Sequence, residues 1–553
     1  AWGKDGRLPP LFADDARLAE AAPAAQALLV LARAVNLTKA AANLERYTED
    51  VERRLLALFE RSASKSDTVG MARHAEVLHA FNGGGSLMQR WIATRPMFLR
   101  PPGDELAPAT TSSAAEDGEV STTEVLAEAA ARIRALAGLY REVQTTCAEE
   151  AKAIQDIFPN AAAVVAQLVQ RVMEQRVQGM IEALLPGMAP SPAGGRAGIL
   201  RLLSYLHTFA NAYERTLELA RTLERCSAPA PLALDVVAET DSLFSAHLEG
   251  YVEAEKALLT ARAEESLATT DAFDPNDLLV WHDEAMARAR TVLQTADVSS
   301  RGDAIAELSS DLVAHLSKAF KADLSAALAQ SDAAADAGTS SALETVESRM
   351  KSPLAAVARC GRHLRLLERH LREKVASQLS AAPDAAAALK AGAMDHIGHV
   401  ETAASQALSR AFRNVLGAVE SALARQAKGD FTADEISPTH RPTAACERAV
   451  ALAAALARVA ASSLEGANLR NLVAEFANGF FAAVDTHLRR LAFSPAGAMR
   501  LKRDLGEYES TVRAMASPPV PACARFERLG ALANLLMVPR ESFAALVDTL
   551  GVK

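Results

Sequence analysis

From Leu126 to Ile157 the apolar residues recur in alternating steps of three and four. The series is Leu126, Ala129, Ile133, Leu136, Tyr140, Val143, Cys147, Glu150, Ile154 and Ile157, and only Glu150 interrupts it. A strand turns its faces every second residue, so this spacing fits a helix alone, with one stripe along its length. A stripe of that length predicts either a coiled-coil-like seam or one long helix of a bundle. It ends at Phe158-Pro159-Asn160, where proline cannot continue the helix. Shorter stripes of the same kind follow. One is Leu202, Leu206, Phe209, Tyr213, Leu217 and Ala220, and another is Phe476, Phe480, Val484, His487 or Leu488, and Leu491.

Half the residues are hydrophobic, yet much of that half is alanine and aromatics are only 5%. Alanine is the best helix former, and alternating β-branched runs are scarce, so the fold class is all-α. Alanine interfaces bury little area per residue, which favours an elongated rod of stacked antiparallel helical bundles over one deep core. A chain of 553 residues exceeds one core, and three or four packed units are expected. Net charge is −9 with acidic and basic residues mixed, which argues against nucleic acid as a partner. The five cysteines are scattered and odd in number, which favours thiols in a reducing compartment. No run is long and apolar enough to span a membrane. The chain opens on Ala1, which suggests missing upstream sequence.

Proline, glycine and polar breaks divide the helices at residues 100–123, 186–198, 226–231, 332–341, 427–442 and 517–522. They delimit a first bundle over 1–100, a flexible linker over 101–123 and middle bundles over 124–330. A further bundle over 331–430 and a C-terminal bundle over 431–553 complete the division. Within the first lies Asn82-Gly83-Gly84-Gly85, read as a helix-to-helix turn in which Ser86 caps the next helix and a stop follows near Pro96. A phosphate-binding loop needs a preceding strand and a following lysine, and neither is there.

Catalytic, cofactor-binding and metal residues are expected to be none. Asp14-Asp15 lacks further carboxylates. His363 and His370 are seven apart rather than four, and His74 and His79 point to different faces. Such histidines are ordinarily partly buried helix residues. Arg301-Gly302-Asp303 is a chance tripeptide. The basic run over residues 359–374 puts Arg362, Arg365, Arg369 and Arg372 on one stripe beside leucines. That stripe suits acidic lipid or an acidic helix, but a solvated face balanced by Glu368 and Glu373 is the commoner use.

Several segments together resemble one family. They are RYTEDVERRLLALFE from Arg46, VLHAFNGGGSLMQRWIATRPMF from Val77, and EVQTTCAEEAKAIQDIFPNAAAVVAQLVQRVMEQRVQGMIEALL from Glu142. YLHTFANAYERTLELARTL from Tyr205 and DSLFSAHLEGYVEAEKALL from Asp241 continue the order. SSLEGANLRNLV, HLRRLAFSPAGAMRLKRDLGEYES and FERLGALANLLMVPRESF close it. The chain resembles the exocyst complex component 5 family, with residues 327–437 matching loosely. The resemblance implies a subunit of the complex that tethers secretory vesicles to the plasma membrane before fusion. It further implies stacked helical bundles, no enzymatic activity and no cofactor. The implied partners are other exocyst subunits, small GTPases of the Rab or Arf families, and vesicle and plasma membranes contacted indirectly. The implied place is the cytoplasm, peripheral at sites of exocytosis. Family chains carry a further N-terminal helix for pairing, so this chain reads as N-terminally truncated. The alternative is an endocytic recycling adaptor with the same helical region linked to an F-box. Partner-binding residues are unknown at this stage. Phe476, Phe480, Leu535, Leu536 and Phe543 are candidate anchors whose spacing first signals core.

Overall fold

A computed structural model describes residues 15–98, 121–225, 235–269, 274–336, 342–432, 441–515 and 520–538. Among the described residues every regular element is helical. The contacts divide the chain into two compact units, residues 1–265 with 284–304, and residues 266–283 with 305–553.

The first unit opens with α1 (Asp15–Ala34), α2 (Thr38–Ser64), α3 (Thr68–Asn82) and α4 (Gly85–Ala93). It continues with α5 (Thr122–Ile157), α6 (Ala161–Arg171), α7 (Gln178–Leu184), α8 (Arg196–Arg225), α9 (Val236–Leu243), α10 (Ser245–Leu248) and α11 (Tyr251–Thr269). The helices α12 (Pro275–Val292) and α13 (Val298–Asp336) contribute residues to both units, as does α11, whose residues from Ser266 onward belong to the second. The second unit adds α14 (Ala342–His370), α15 (Ala376–Gln378), α16 (Pro383–Ala424), α17 (Ala444–Ser463), α18 (Gly466–Leu488), α19 (Pro495–Met515) and α20 (Pro521–Ala533).

Local chemistry sets the boundaries. Ser121 accepts the Glu124 N–H at 3.2 Å while the Glu124 carboxylate accepts the Ser121 N–H at 3.1 Å, so a capping box starts α5. This places Ser121 and the start of α5 inside the stretch read as linker; residues 99–120 lie outside the described residues. Proline at 159 ends the same helix after Phe158. Between α3 and α4, Gly83 and Gly84 take φ of +76° and +70°, and the Asn82 side chain accepts the Gly84 N–H at 3.0 Å. The turn is there, but its cap differs from expectation. Gly84 is the N-cap residue and helix already includes Ser86, because two left-handed glycines complete the reversal two residues early. Arg301, set aside as part of a chance tripeptide, donates to the carbonyls of Leu293, Gln294 and Ala296 and so closes the end of α12.

The long seam is interior. Leu136, Ile154, Val143 and Cys147 are buried in the first unit, where α5 packs along α8. All of Leu202, Leu206, Phe209, Tyr213, Leu217 and Ala220 are buried on the facing side. In the second unit Phe476, Phe480, Val484 and Leu488 join Phe412, Tyr508 and Phe526 in one apolar core. Leu488, not His487, completes that stripe.

Candidate partner surface and buried polar clusters

Glu150, the one break in the α5 seam, has a specific purpose. It pairs with Arg95 at 3.4 Å, and the Arg95 guanidinium lies 3.8 Å from the centre of the Trp91 ring. Trp91 in turn packs edge-on against Phe59 and Phe158, with centroids 5.9 and 5.8 Å apart. The Asn82 turn folds α4 back so that Trp91 reaches this aromatic cluster.

Four polar clusters sit inside the helices. In the first unit Arg288 donates to both Glu255 oxygens at 2.8 Å, and the Tyr251 hydroxyl donates to the same carboxylate at 2.8 Å. Glu255 is wholly buried, so this bidentate pair is satisfied rather than reactive. Nearby, Tyr213 donates to Asp241 at 2.5 Å and lies 2.7 Å from Thr295. A groove of about 340 Å³ beside these groups is lined by His207, Asn211, Glu214, Glu284 and Arg288. In the second unit Asp504 accepts the Thr443 N–H at 2.9 Å and its hydroxyl at 2.6 Å, while Thr443 caps α17 by accepting the Cys446 N–H. Burial pushes the Asp504 carboxyl up to about 6, against the lowering effect of those Thr443 bonds.

The fourth cluster adds a partner to the histidine reading. His363 is half-buried against Phe320, whereas His370 is buried and meets His282, eighty-eight residues away in sequence, at 3.0 Å. Sequence spacing held no sign of this pair, because α12 and α14 are brought together only by packing. Along the basic run Arg359 pairs with Asp323 at 2.8 Å. Arg362, Arg365, Arg369 and Arg372 are exposed, as expected for a solvated face.

Of the candidate anchors, Phe476 and Phe480 are core and Leu536 is 40% exposed; Phe543 lies outside the described residues. The surface that stands out is on α1, which sequence reading passed over. Its inward seam, Leu18, Ala22, Ala25, Leu29 and Ala32, is buried at steps of four and three. A second apolar seam, Ala24, Leu28 and Leu31, runs at the same steps on the outside and is continued by Val35 in the turn just after the helix, with the last three 54–60% exposed. A helix apolar on two faces ordinarily packs on both. The signal was legible: the run AQALLVLARAV has too many apolar residues for one face.

Comparison with known proteins follows the same lines. The family model described as exocyst complex component Sec10-like, alpha-helical bundle, matches residues 20–276 and 271–550. The chain is similar to exocyst complex component 5 of Oryza sativa subsp. japonica, 31% identical over 98% of this chain and 74% of the relative. Exocyst complex component SEC10a of Arabidopsis thaliana is 30% identical over 98% of this chain and 72% of the relative. Exocyst complex component 5 of Drosophila melanogaster is 23% identical over 98% and 74%. A solved circular tandem repeat protein aligns with a TM-score of 0.18 at 11% identity, too slight a likeness to bear on the fold.

Proposed function

The chain belongs to the exocyst complex component Sec10-like family, and we propose that it acts as a helical scaffold subunit of the exocyst, holding secretory vesicles at the plasma membrane before fusion. The observation that carries this reading is the family match, which runs from residue 20 to residue 550. The F-box-linked adaptor is not retained, since the relatives compared are named as exocyst components.

Scaffolding asks of the chain stable helices and faces that bind other subunits, and it asks for no turnover. The buried polar clusters suit that role, because each is satisfied internally and holds helices in register. The outward seam of α1 is the face we assign to a partner: a helix of another exocyst subunit, whose own apolar stripe at steps of three and four would interdigitate with Leu28, Leu31 and Val35. No described helix is long and apolar enough to cross a membrane. On this reading contact with vesicle and plasma membranes is peripheral and indirect, on the cytoplasmic side. Small GTPases of the Rab or Arf families are further partners on this reading.

The test is purification of the tagged protein from its own cells, followed by mass spectrometry, with depletion in parallel. The expected result is recovery of other exocyst subunits and accumulation of undelivered secretory vesicles on depletion. Purification without any exocyst subunit, together with undisturbed delivery, overturns the reading.

A further inference from the structure

The His282–His370 cluster has a defined proton order. Ser309 donates its hydroxyl hydrogen to the Ile305 carbonyl at 2.7 Å, so its oxygen is left to accept the His282 Nε2–H at 3.2 Å. That fixes the tautomer of His282 and leaves its Nδ1 lone pair aimed at His370 Nε2, 3.0 Å away. His282 is wholly buried and His370 nearly so, and burial lowers both imidazoles, His282 to about 3. Asp283 lies on the solvent side, its carboxylate 3.9 Å from His370 Nδ1 with 39% of its side chain exposed. His282, Asp283 and His370 each offer a ligand atom, and these atoms all lie within 4.8 Å of one another.

We propose that the second unit carries a divalent transition-metal site, of Zn²⁺ type, held by His282 Nδ1, His370 Nε2 and the Asp283 carboxylate, with water as the fourth ligand. Tetrahedral zinc with bonds of about 2.0–2.1 Å to nitrogen sets its nitrogen ligands about 3.3–3.4 Å apart. Opening the present 3.0 Å gap by a few tenths of an ångström, with the His370 proton moved from Nε2 to Nδ1, on the side of the Asp283 carboxylate, makes room for the ion and leaves a neutral ring that ligates through Nε2. Ser309 supplies the outer hydrogen bond that ligating histidines ordinarily have, fixing the ring that presents Nδ1. Asp283 provides both charge and a path from solvent. The helix winds as a π-turn over Leu371–Val375 directly after His370, a distortion often found at functional sites. Mixed imidazole and carboxylate donors suit zinc rather than calcium or magnesium. Bound there, the ion would fasten α12 to α14.

The experiment uses the full chain, stripped with chelator and then equilibrated with buffered Zn²⁺, with metal counted by mass spectrometry and Co²⁺ substituted for its visible spectrum. Expected are one equivalent of zinc, a tetrahedral Co²⁺ spectrum with imidazole ligation, and a melting temperature that rises with zinc. His370→Gln, which keeps a hydrogen-bonding side chain, should lose the spectrum. The half-exposed Asp283→Asn should bind about tenfold or more weakly while folding normally. No stoichiometric uptake by the wild-type chain overturns the proposal, as does full uptake by a folded His370→Gln. If His370→Gln fails to fold, Asp283→Asn decides, and unchanged zinc affinity in that variant overturns it.

Discussion

A single added methyl group separates two kinds of glycine on α19. A Cβ at Gly497 would lie 1.8 Å from the Phe431 carbonyl oxygen, which also accepts the Ser494 N–H at 2.8 Å, so neither backbone can yield cheaply. At Gly506 a Cβ meets nothing within 4 Å. Gly497→Ala should cost about 1–3 kcal/mol as overpacking, whereas Gly506→Ala should gain about 0.5–1 kcal/mol from helix propensity. Urea unfolding of the two variants measures both, and equal effects would refute the packing argument. The buried Asp504 gives a second prediction with a definite sign. Its folded pKa is raised from 3.8 to about 6, so between those values the folded state holds a proton that the unfolded state has released. Its contribution to stability therefore increases as pH falls from 6 toward 4, by up to about 3 kcal/mol. The lowered histidines act oppositely: stability that they contribute above 6.5 is lost as pH falls. Comparing Asp504→Asn with wild type removes the histidine background. The wild type should lose less stability than the variant between about pH 7 and pH 5.

At the scale of a helix, α5 shows what spacing reveals and what it conceals. The seam from Leu126 to Ile157 named its buried face residue by residue, since every apolar position from Ala129 onward is interior. Leu136 is completely buried, so Leu136→Ala should destabilise the first unit by about 2–5 kcal/mol, read from thermal or urea unfolding. A change below about 1 kcal/mol would mean that the site collapses around the cavity. What spacing could not give was the partner of each polar break. Glu150 breaks a pattern within one helix, but the Arg95 it meets is 55 residues earlier, and nothing local couples the two. The same holds for His282 with His370 and for Arg288 with Glu255, which belong to different helices and pair only when those helices pack. Ser86 failed as a cap for a different reason. Cap preference points to serine, while two successive glycines at positive φ turned the chain before it. The basic run was legible as an exposed stripe because its arginines recur at helical steps. The outward seam of α1 was missed although its residues were in view, because an all-round apolar helix has little directional pattern to notice.

For the whole molecule the question is how a chain of satisfied helices joins a complex. Among the described residues most apolar spacing is consumed by the chain's own packing, including the Phe476 and Phe480 stripe considered as an anchor. On the proposed scaffold reading, partner binding falls to the apolar surface left over among the described residues, and the α1 end has a regular share of it, with Leu28, Leu31 and Val35 at helical steps and 54–60% exposed. Interface energy tends to concentrate in a few desolvated anchors, and burying one leucine is worth about 1.5–3 kcal/mol, so three together can decide association. Replacing all three with aspartate (Leu28→Asp, Leu31→Asp, Val35→Asp) places charges where a partner helix would pack, yet touches no buried residue of either unit. The variant should fold with a melting temperature close to wild type and should lose exocyst subunits on purification from cells depleted of the native protein. Leu29→Asp is the contrasting control, since Leu29 faces the inner seam and its charge should lower stability first. Retention of every subunit by the folded triple variant would move the interface away from α1 and leave the scaffold reading intact. Loss of secretion in that variant, with stability unchanged, would tie vesicle delivery to this one helical face.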